Sequence, residues 1–260
     1  MRSDLASVQS PSFLKLLAHD LRWNILVLLA RSDYCVREIV RLLEQPQNLV
    51  SYHLRRLHDQ HLVNERRSTA DGRDIYYSLD IDMLRTLYFS AADSLNPALH
   101  VPETSLHEAV SHLPAKKLRV LFLCTHNSAR SQMAEGLLRH LSEGRIEVQS
   151  AGNQPSDLHP LAVQAMARMG IDISRQRSKH LDEFRDQSFD YVVTVCDRVR
   201  ESCPTFPGDP KQVHWSFIDP AAVAGSEQER SRAFDQVALQ LTNRIRFFVI
   251  LIDREQSEKK

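Results

Sequence analysis

Apolar residues recur with helical spacing in the first third of the chain. They stand three and four positions apart from Phe13 onward, with a break near His19, where Asp20 can cap a new helix. The helices predicted in this way cover residues 12–31 as two segments, then residues 36–43, 47–57 and 82–95. Strand-like runs at 62–67 and 73–79 flank the turn Asp71-Gly72, which predicts a β-hairpin.

In the second half, apolar runs alternate with amphipathic stretches. Strands are predicted at residues 118–123, 145–150 and 190–195, and helices at 132–139, 161–169 and 227–253. Strands separated by helices are typical of an open parallel sheet whose ligand lies at the strand carboxyl ends. One stripe of the last helix is expected to pack into the core. That stripe contains Phe234, Val237, Leu241, Ile245, Phe248 and Ile252.

Length and composition favour two domains in a reducing compartment. A polar stretch punctuated by Pro97, Pro102 and Pro114 predicts a linker, so the domains are expected at residues 1–94 and 116–260, joined by 95–115. The formal net charge is zero, so any contact with nucleic acid must come from a local patch. Four cysteines, no secretory signal and no long apolar run predict a soluble, cytoplasmic protein without a membrane partner.

The third and fourth predicted helices have the arrangement of a helix-turn-helix, which sets its second helix in the major groove of DNA. Leu49, Val50, Leu54 and Leu57 are expected to face the core. The candidate DNA contacts on this helix are Gln47, Asn48, Ser51, Tyr52, His53, Arg55 and Arg56. Arg66, Arg67 and Arg73 on the hairpin could reach the DNA backbone or minor groove. The segment from Gln45 to Arg73 contains five arginines and three acidic residues, so its non-specific affinity for DNA should be modest and salt-dependent.

The order of these elements, with the stretch Val50-Ser-Tyr-His-Leu-Arg-Arg-Leu57, resembles the ArsR-type family of winged-helix repressors. The resemblance implies operator DNA as a partner and a homodimer formed through the N-terminal domain. The helix at 82–95 would suit the dimer contact, and an ordinary core helix would have the same pattern. A soft arsenic site wants about three thiolates, so the single Cys35 is expected to be a small buried residue.

The segment Cys124-Thr-His-Asn-Ser-Ala-Arg-Ser131 joins a predicted strand to a predicted helix. Such a turn points backbone N–H groups and the positive end of the helix dipole at one spot, which favours the thiolate of Cys124. Arg130 can bind a tetrahedral oxyanion through its planar fork, and Ser131 can donate to the sulfur. The oxyanion is then expected to contact Thr125, His126, Asn127, Ser128, Ala129 and Arg130. A buried structural cysteine beside a surface arginine is the simpler alternative.

Two further cysteines follow a predicted strand. Cys196 lies at its carboxyl end, near Cys124, and Cys203 follows seven residues later. If that segment is helical, the two Cα atoms are about 10 Å apart. A disulfide tolerates at most about 7 Å, so bonding them would require the turn to unwind.

The second half resembles the thioredoxin-coupled arsenate reductases built on the low-molecular-weight protein tyrosine phosphatase fold. The resemblance rests on Cys124–Glu135, Ser150-Ala-Gly152, Val192–Cys196, Cys203-Pro204 and His214–Ala221. It implies arsenate or phosphate as ligand and Cys124, Cys196 and Cys203 as a thiol relay. It further implies Asp219 as acid and thioredoxin as reductant, with no metal or organic cofactor. It also implies that Asn127 shapes the loop, with Glu135, Ser150 and Lys179 in its support.

The sequence departs from this family at a few positions. Ala129 and His126 replace a frequent cysteine and a frequent glycine, and neither position is among the exchanging thiols. The acid region Asp219-Pro-Ala-Ala lacks the tyrosines of a phosphotyrosine pocket, which favours a small oxyanion. Asp219 could also be only a turn residue before Pro220.

The leading hypothesis is a fused DNA-binding repressor and arsenate reductase, with possible residual phosphatase activity. Two alternatives stay open. In one, the protein is a DNA-tethered phosphatase in which Cys196 and Cys203 are structural. In the other, the second domain only senses an oxyanion or the redox state.

Overall fold

The computed structural model describes residues 11–70, 72–95, 118–201 and 203–257. The chain divides into two compact units, Met1–Glu103 and Thr104–Lys260. The predicted linker at 95–115 lies, apart from Leu95, outside the described residues, so its bounds stay a prediction. No helix among the described residues is both long and apolar enough to cross a membrane.

The first unit contains the predicted helices. They are α1 (Ser12–Leu17), α2 (Asp20–Leu29), α3 (Val36–Leu43), α4 (Gln47–His58) and α5 (Ile81–Leu95). The break between α1 and α2 is confirmed, but the prediction that Asp20 caps α2 is wrong. His19 holds the N-cap position, and its Nδ1 accepts a hydrogen bond from the Leu21 N–H at 3.2 Å. A ring nitrogen can therefore do what a carboxylate usually does at this position.

A small antiparallel sheet completes this unit. It contains β1 (Tyr34–Cys35), β2 (Val63–Arg67) and β3 (Ile75–Leu79), in the order β1-β3-β2. The hairpin of β2 and β3 is confirmed. Gly72 has a positive φ of 70° in the turn, and Asp71 lies outside the described residues. The two-residue strand β1 was not predicted, because so short a segment carries no alternation.

In the first unit, one residue predicted to lie in the core is exposed. Val50, Leu54 and Leu57 of α4 are fully buried, whereas Leu49 is 38% exposed, so its predicted place in the core is wrong. Cys35 is buried, as predicted. On α5, Ala91 is buried while Tyr88 is 60% exposed.

The second unit is a four-stranded parallel sheet covered by helices. Its strands are β4 (Arg119–Cys124), β5 (Glu147–Gly152), β6 (Tyr191–Thr194) and β7 (Lys211–His214), in the order β5-β4-β6-β7. Its helices are α6 (Arg130–Leu141), α7 (Pro160–Arg168), α8 (Asp197–Glu201) and α9 (Glu227–Ser257), with 3-10 turns at Leu181–Phe184 and Pro220–Ala222. The edge strand β7 was not predicted, because its first two residues are exposed and polar.

Packing places two strand ends together. The central strand β4 is buried from Val120 to Cys124, and the predicted stripe of α9 is buried as well. Leu123 of β4 pairs with Thr194 of β6, so both strands end at the same edge of the sheet. Cys124 and Cys196 therefore both lie at this edge, as the sequence predicts.

Candidate active site

Cys124 ends β4, and a tight loop leads from it to Arg130, the first residue of α6. The buried sulfur lies 2.9 Å from the hydroxyl of Ser131 and accepts a hydrogen bond from the backbone N–H of Asn127 at 3.2 Å. The positive end of α6 faces the same spot. A backbone N–H donor, a hydroxyl group and the N-terminus of α6 thus converge on one sulfur, which is the arrangement of an anion-binding loop.

Asn127 fixes the shape of this loop from behind. Its backbone adopts a left-handed conformation with φ of 45°. Its buried amide nitrogen donates to Ser131 Oγ at 2.9 Å and to Ser150 Oγ at 2.8 Å. Its carbonyl oxygen accepts from Gln132 Nε2 at 3.0 Å and from the backbone N–H of Lys179 at 2.8 Å. The side chain therefore pins the loop to α6, to β5 and to the segment before the turn Leu181–Phe184.

A buried charged pair lies under Asn127. Glu135 accepts from Ser150 Oγ at 2.6 Å, from Lys179 Nζ at 3.1 Å and from Arg139 at 2.5 Å. Lys179 and Glu135 are both buried, so each charge depends on the other. Across the described ranges, no three His, Cys, Asp or Glu side chains form a group that could hold a metal ion.

Replacing Lys179 should destabilise the second unit. Lys179→Met removes one partner from the buried Glu135, which keeps Arg139 and Ser150, so we expect the free energy of unfolding to fall by about 2 kcal/mol. Urea unfolding can be followed by fluorescence of the buried Trp215 in a Trp23→Phe background, which leaves one tryptophan.

Lys211→Met is the matched control for this measurement. Its ammonium pairs with Glu255 but is half exposed, so its loss should cost less than about 1 kcal/mol. Equal losses in the two variants would contradict the role given to Lys179.

Arg130 joins the loop to the acidic residue Asp219. One guanidinium nitrogen donates to Asp219 Oδ2 at 2.8 Å, and another donates to the carbonyl oxygen of Phe217 at 3.2 Å. The other oxygen of Asp219 accepts from the N–H of Ala221 at 3.1 Å and caps the turn Pro220–Ala222. The turn role and the proximity to Arg130 therefore occur together, because the turn is what holds the carboxylate beside the loop.

The other loop residues have distinct environments. Thr125 is buried, and its hydroxyl lies 3.4 Å from the sulfur of Cys196. His126 is exposed, and its Nδ1 lies 3.1 Å from the carbonyl oxygen of Gln154. Ser128 is half-buried and Ala129 is buried. Any contact these residues make with an oxyanion stays a prediction.

Cys196 lies beside the loop, where its sulfur is 3.4 Å from the hydroxyl of Thr125, whereas the described contacts of Cys203 are with Arg200 and Pro204. All four cysteines of the chain are free thiols. Burial raises the pKa of Cys196, and the charge of nearby Cys124 raises it further, while Arg130 and Thr125 oppose the shift. Burial also raises the pKa of Cys203, to about 11. Helix α8 occupies five of the six residues between these two cysteines, so a disulfide between them requires this helix to unwind.

One group of polar residues near Cys196 was missed. Asp197 is fully buried, and its carboxylate contacts Ser216 and His214. The sequence points to His214 only as part of a family motif. Nothing in the spacing pairs it with Asp197, because the contact depends on the unpredicted strand β7.

The predicted DNA-binding face is largely exposed, with one correction. Gln47, Asn48, Ser51, Tyr52, Arg55 and Arg56 are exposed on α4. His53 is only 3% exposed, so its predicted contact with DNA is wrong. Val50, His53, Leu54 and Leu57 follow the i, i+3, i+4, i+7 spacing of a buried face, which includes His53 and leaves Leu49 out.

Residues of α2 and its N-cap surround His53, and the three hairpin arginines differ in exposure. The His53 ring packs against His19 at 4.3 Å, and burial lowers its pKa, as do the charges of His19 and Arg22. Arg67 and Arg73 are exposed, while Arg66 is half-buried and donates to the carbonyl oxygen of Arg67 at 2.8 Å. Two of the three arginines are therefore exposed, and their contact with DNA stays a prediction.

Comparison with known families agrees with this division into units. Residues 119–258 match the family described as low molecular weight phosphotyrosine protein phosphatase. Residues 19–65 match the family described as bacterial regulatory protein, arsR family. The first unit therefore carries a helix-turn-helix domain of the arsR family, and the second has the phosphatase-like α/β fold.

Individual relatives match the second unit. A protein named arsenate reductase from Shouchella clausii is 43% identical over 136 residues, which is 52% of this chain and 96% of the relative. One from Bacillus subtilis is 42% identical over 129 residues, covering 50% of this chain and 93% of the relative. A solved structure of an arsenate reductase in the oxidized state is 31% identical, covering 52% of this chain and 98% of the other, with a TM-score of 0.46.

Proposed function

The chain belongs to the low molecular weight phosphotyrosine protein phosphatase family, and from this we propose that it is an arsenate reductase carried on a DNA-binding repressor. One observation carries the reductase half. A second buried thiol, Cys196, contacts the loop of Cys124 through Thr125 Oγ1 at 3.4 Å. Ester hydrolysis needs one nucleophilic cysteine, whereas two-electron reduction needs another thiol to close a disulfide.

The first step captures the oxyanion. Arsenate mimics phosphate, and the loop N–H groups and the Arg130 fork bind its oxygens. The Cys124 thiolate attacks arsenic and forms a sulfur–arsenic bond, while one oxygen leaves as water. We assign the protonation of that departing oxygen to Asp219, and its distance of 2.8 Å from Arg130 supports this role.

The next steps move electrons along the cysteines. Cys196 attacks the sulfur of Cys124 and forms a disulfide. The sulfur–arsenic bond breaks, and its electron pair stays on arsenic, which leaves as trivalent arsenite. Cys203 then attacks Cys196, and the sulfur of Cys124 is released as a thiolate ready for another arsenate.

Burial and neighbouring charges govern the pKa of Cys196. While Cys124 is a free thiolate, its charge and the burial of Cys196 both hold the Cys196 pKa up, so Cys196 stays a thiol. Bonding to arsenic removes the charge of Cys124. Burial then remains the largest cause that raises the pKa of Cys196, and Arg130, Thr125 and the backbone hydrogen bond of Val199 oppose it.

The raised pKa of Cys196 predicts a pH dependence. Because burial still raises the pKa of Cys196 after Cys124 has bonded to arsenic, the thiolate fraction of Cys196 should increase about tenfold per pH unit below that pKa. Arsenite release in a single turnover should accelerate in the same way from about pH 6 to about pH 8. Rapid-quench measurement of arsenite checks this. Hydrolysis of an artificial aryl phosphate does not use Cys196 and should lack the increase. Identical profiles for the two reactions would contradict the assignment.

The cycle closes with an external reductant. We propose that a thioredoxin-like dithiol reduces the Cys196–Cys203 disulfide and becomes a disulfide itself, so the two electrons delivered to arsenic are balanced. The relay needs no metal or organic cofactor. It does need reduced thiols, which supports a cytoplasmic location.

The reductase proposal is tested by arsenite production. The full chain with thioredoxin, its reductase and arsenate should release many equivalents of arsenite. Cys124→Ser should release none and should also fail to hydrolyse aryl phosphate. Aryl phosphate hydrolysis by the wild type without arsenite would instead identify a phosphatase, and the absence of both would identify a regulator that only senses.

The first unit supports the repressor half. Helix α4 presents six exposed polar or aromatic side chains of the types that contact base edges and phosphates. Tyr88 on α5 is 60% exposed and Leu95 is 75% exposed, which supports a homodimer formed through this helix.

Removing one recognition-helix arginine should weaken DNA binding. For Arg55→Ala we expect about fivefold to tenfold lower affinity for a duplex taken from upstream of the protein's own coding region, with a salt slope smaller by about one. Fluorescence anisotropy at several salt concentrations measures both quantities. Arg31→Ala changes an exposed arginine outside α4 and should bind like the wild type, so equal effects would place the interface elsewhere.

A further inference from the structure

A series of hydrogen-bonded side chains, most of them buried, connects α8 with β7. Asp197 is the first residue of α8, and its Oδ1 accepts a hydrogen bond from Ser216 Oγ at 2.7 Å. The same oxygen lies 3.2 Å from His214 Nε2. His214 Nδ1 lies 2.8 Å from the hydroxyl of Thr194 at the end of β6. Asp197, His214 and Thr194 are buried.

One arrangement of the protons that fits these distances has a neutral His214. With its proton on Nε2, His214 donates to Asp197, and its Nδ1 accepts from the Thr194 hydroxyl. Ser216 supplies the second donor to the same carboxylate oxygen. A fully buried carboxylate that receives two side-chain donors is held firmly, since losing either donor exposes the cost of its burial.

These hydrogen-bonded residues are sequence neighbours of two parts of the proposed site, the second thiol and the segment that contacts Arg130. Asp197 directly follows Cys196, the second thiol of the relay. Ser216 directly precedes Phe217, whose carbonyl oxygen accepts from Arg130. One carboxylate therefore ties the backbone of Cys196 to the segment that contacts the oxyanion loop.

The two ends of α8 are anchored unequally. The Cys196 end has the short, buried contacts of Asp197. Towards the other end, the N–H of Cys203 donates to the carbonyl oxygen of Arg200 at 3.4 Å, and the thiol of Cys203 lies 3.7 Å from the carbonyl oxygen of Pro204. The backbone N–H of Arg200 also donates to the carbonyl oxygen of Cys196 at 3.4 Å, so the two ends differ in their side chains and not in their backbone bonds. Asp197 is fully buried and hydrogen-bonded, whereas Cys203 is only half-buried, so the Cys203 end opens at lower cost.

We propose that Asp197, His214 and Ser216 form a latch that holds Cys196 against Cys124 while α8 unwinds from its Cys203 end, an inference that rests on the proposed reductase function. Cys203 then moves to Cys196, and Cys196 stays in place for both disulfide exchanges. These three are positioning residues, because none of them touches the reacting atoms. Their effect should fall on the attack of Cys196 on Cys124 and spare the attack of Cys124 on the oxyanion.

Single-turnover kinetics test the latch in the full chain carrying Cys203→Ser, in which the reaction stops at the Cys124–Cys196 disulfide. Adding Asp197→Ala should slow arsenite release about tenfold, since hydrogen bonds to a buried charge are lost. Asp197→Asn keeps an acceptor of the same shape and should recover most of the rate. Aryl phosphate hydrolysis should fall much less than arsenite release in both variants, because Arg130 keeps its contact with Asp219 when Ser216 loses Asp197. Asp186→Asn, an exposed carboxylate of the same unit, is the matched control.

Ser216→Ala guards against a folding artefact, because it removes one donor and no charge. We expect a decrease of about threefold on its own and no further decrease when combined with Asp197→Ala, since the two residues act as a unit. Equal losses of arsenite release and aryl phosphate hydrolysis would show a merely structural role and overturn the inference, as would an unchanged rate. If the parent protein hydrolyses aryl phosphate but forms no arsenite, the proposed function itself fails.

A second measurement reads the latch directly. The His214 Nε2–H signal in nitrogen-15 NMR should persist, nearly unshifted, when Cys196 and Cys203 are oxidised. Its loss on oxidation would show that the Cys196 end moves and would overturn the inference.

Discussion

Cys203→Ser should stop arsenate reduction after one turnover. Each protein should release one equivalent of arsenite, because Cys124 and Cys196 can still form their disulfide. Without Cys203 no thiol is available to free Cys124, so the multiple-turnover rate with thioredoxin and its reductase should fall at least about a hundredfold. Quantifying arsenite per protein with time separates the burst from the steady state.

The same variant carries its own control. In the proposed mechanism aryl phosphate hydrolysis uses Cys124, Arg130 and Asp219, and among the described residues no hydrogen bond joins any of these three to Cys203. Hydrolysis should therefore persist at about the wild-type rate. Sustained arsenite production by Cys203→Ser would show that the reductant attacks the Cys124–Cys196 disulfide directly.

Arg130→Ala should abolish most oxyanion chemistry. The Arg130 guanidinium is buried, and Arg130 is the residue at which the loop enters α6. Removing a preorganised donor of this kind typically lowers kcat by about 100-fold to 1,000-fold. The substitution also leaves Asp219 and the carbonyl oxygen of Phe217 without this partner. We expect arsenate reduction and aryl phosphate hydrolysis to fall together, because both begin with the same capture step.

Arg130→Lys tests the geometry of this residue. A lysine keeps the charge but cannot make two parallel hydrogen bonds, so it should recover little activity. Arg175→Ala removes an exposed arginine of the same unit and should behave like the wild type. Full activity in Arg130→Lys would reduce the role of Arg130 to a point charge.

Local sequence patterns were sufficient to predict the main elements. The apolar run into Cys124 and the amphipathic run after Arg130 locate a strand and a helix, because burial and period are both written in the local sequence. The carboxyl edge shared by Cys124 and Cys196 followed from the parallel topology alone.

Positions set by neighbouring elements were harder to predict. On α4, Leu49 is exposed and His53 is buried, which is the reverse of the prediction. Hydrophobicity alone had assigned the leucine to the core and the histidine to the surface. The packing of α2 decides otherwise, since His19 and Arg22 enclose the His53 ring. Composition carries no trace of such a contact between separate helices.

Long-range polar contacts were the least predictable. Asp197 meets His214 only because the short strand β7 pairs in parallel with β6, and β7 has no strong apolar pattern. The available signal was a carboxylate directly after a strand predicted to be buried and the cysteine that follows it. It indicates that Asp197 needs a donor, but not which residue supplies it.

The thiol relay is tested most directly by mapping disulfides. The wild-type chain is exposed to arsenate without reductant, its remaining thiols are blocked, and its peptides are analysed by mass spectrometry. We predict a peptide linking Cys196 to Cys203, with Cys124 recovered as a blocked thiol. A properly folded protein that shows no bond between Cys196 and Cys203 after releasing arsenite would contradict the relay.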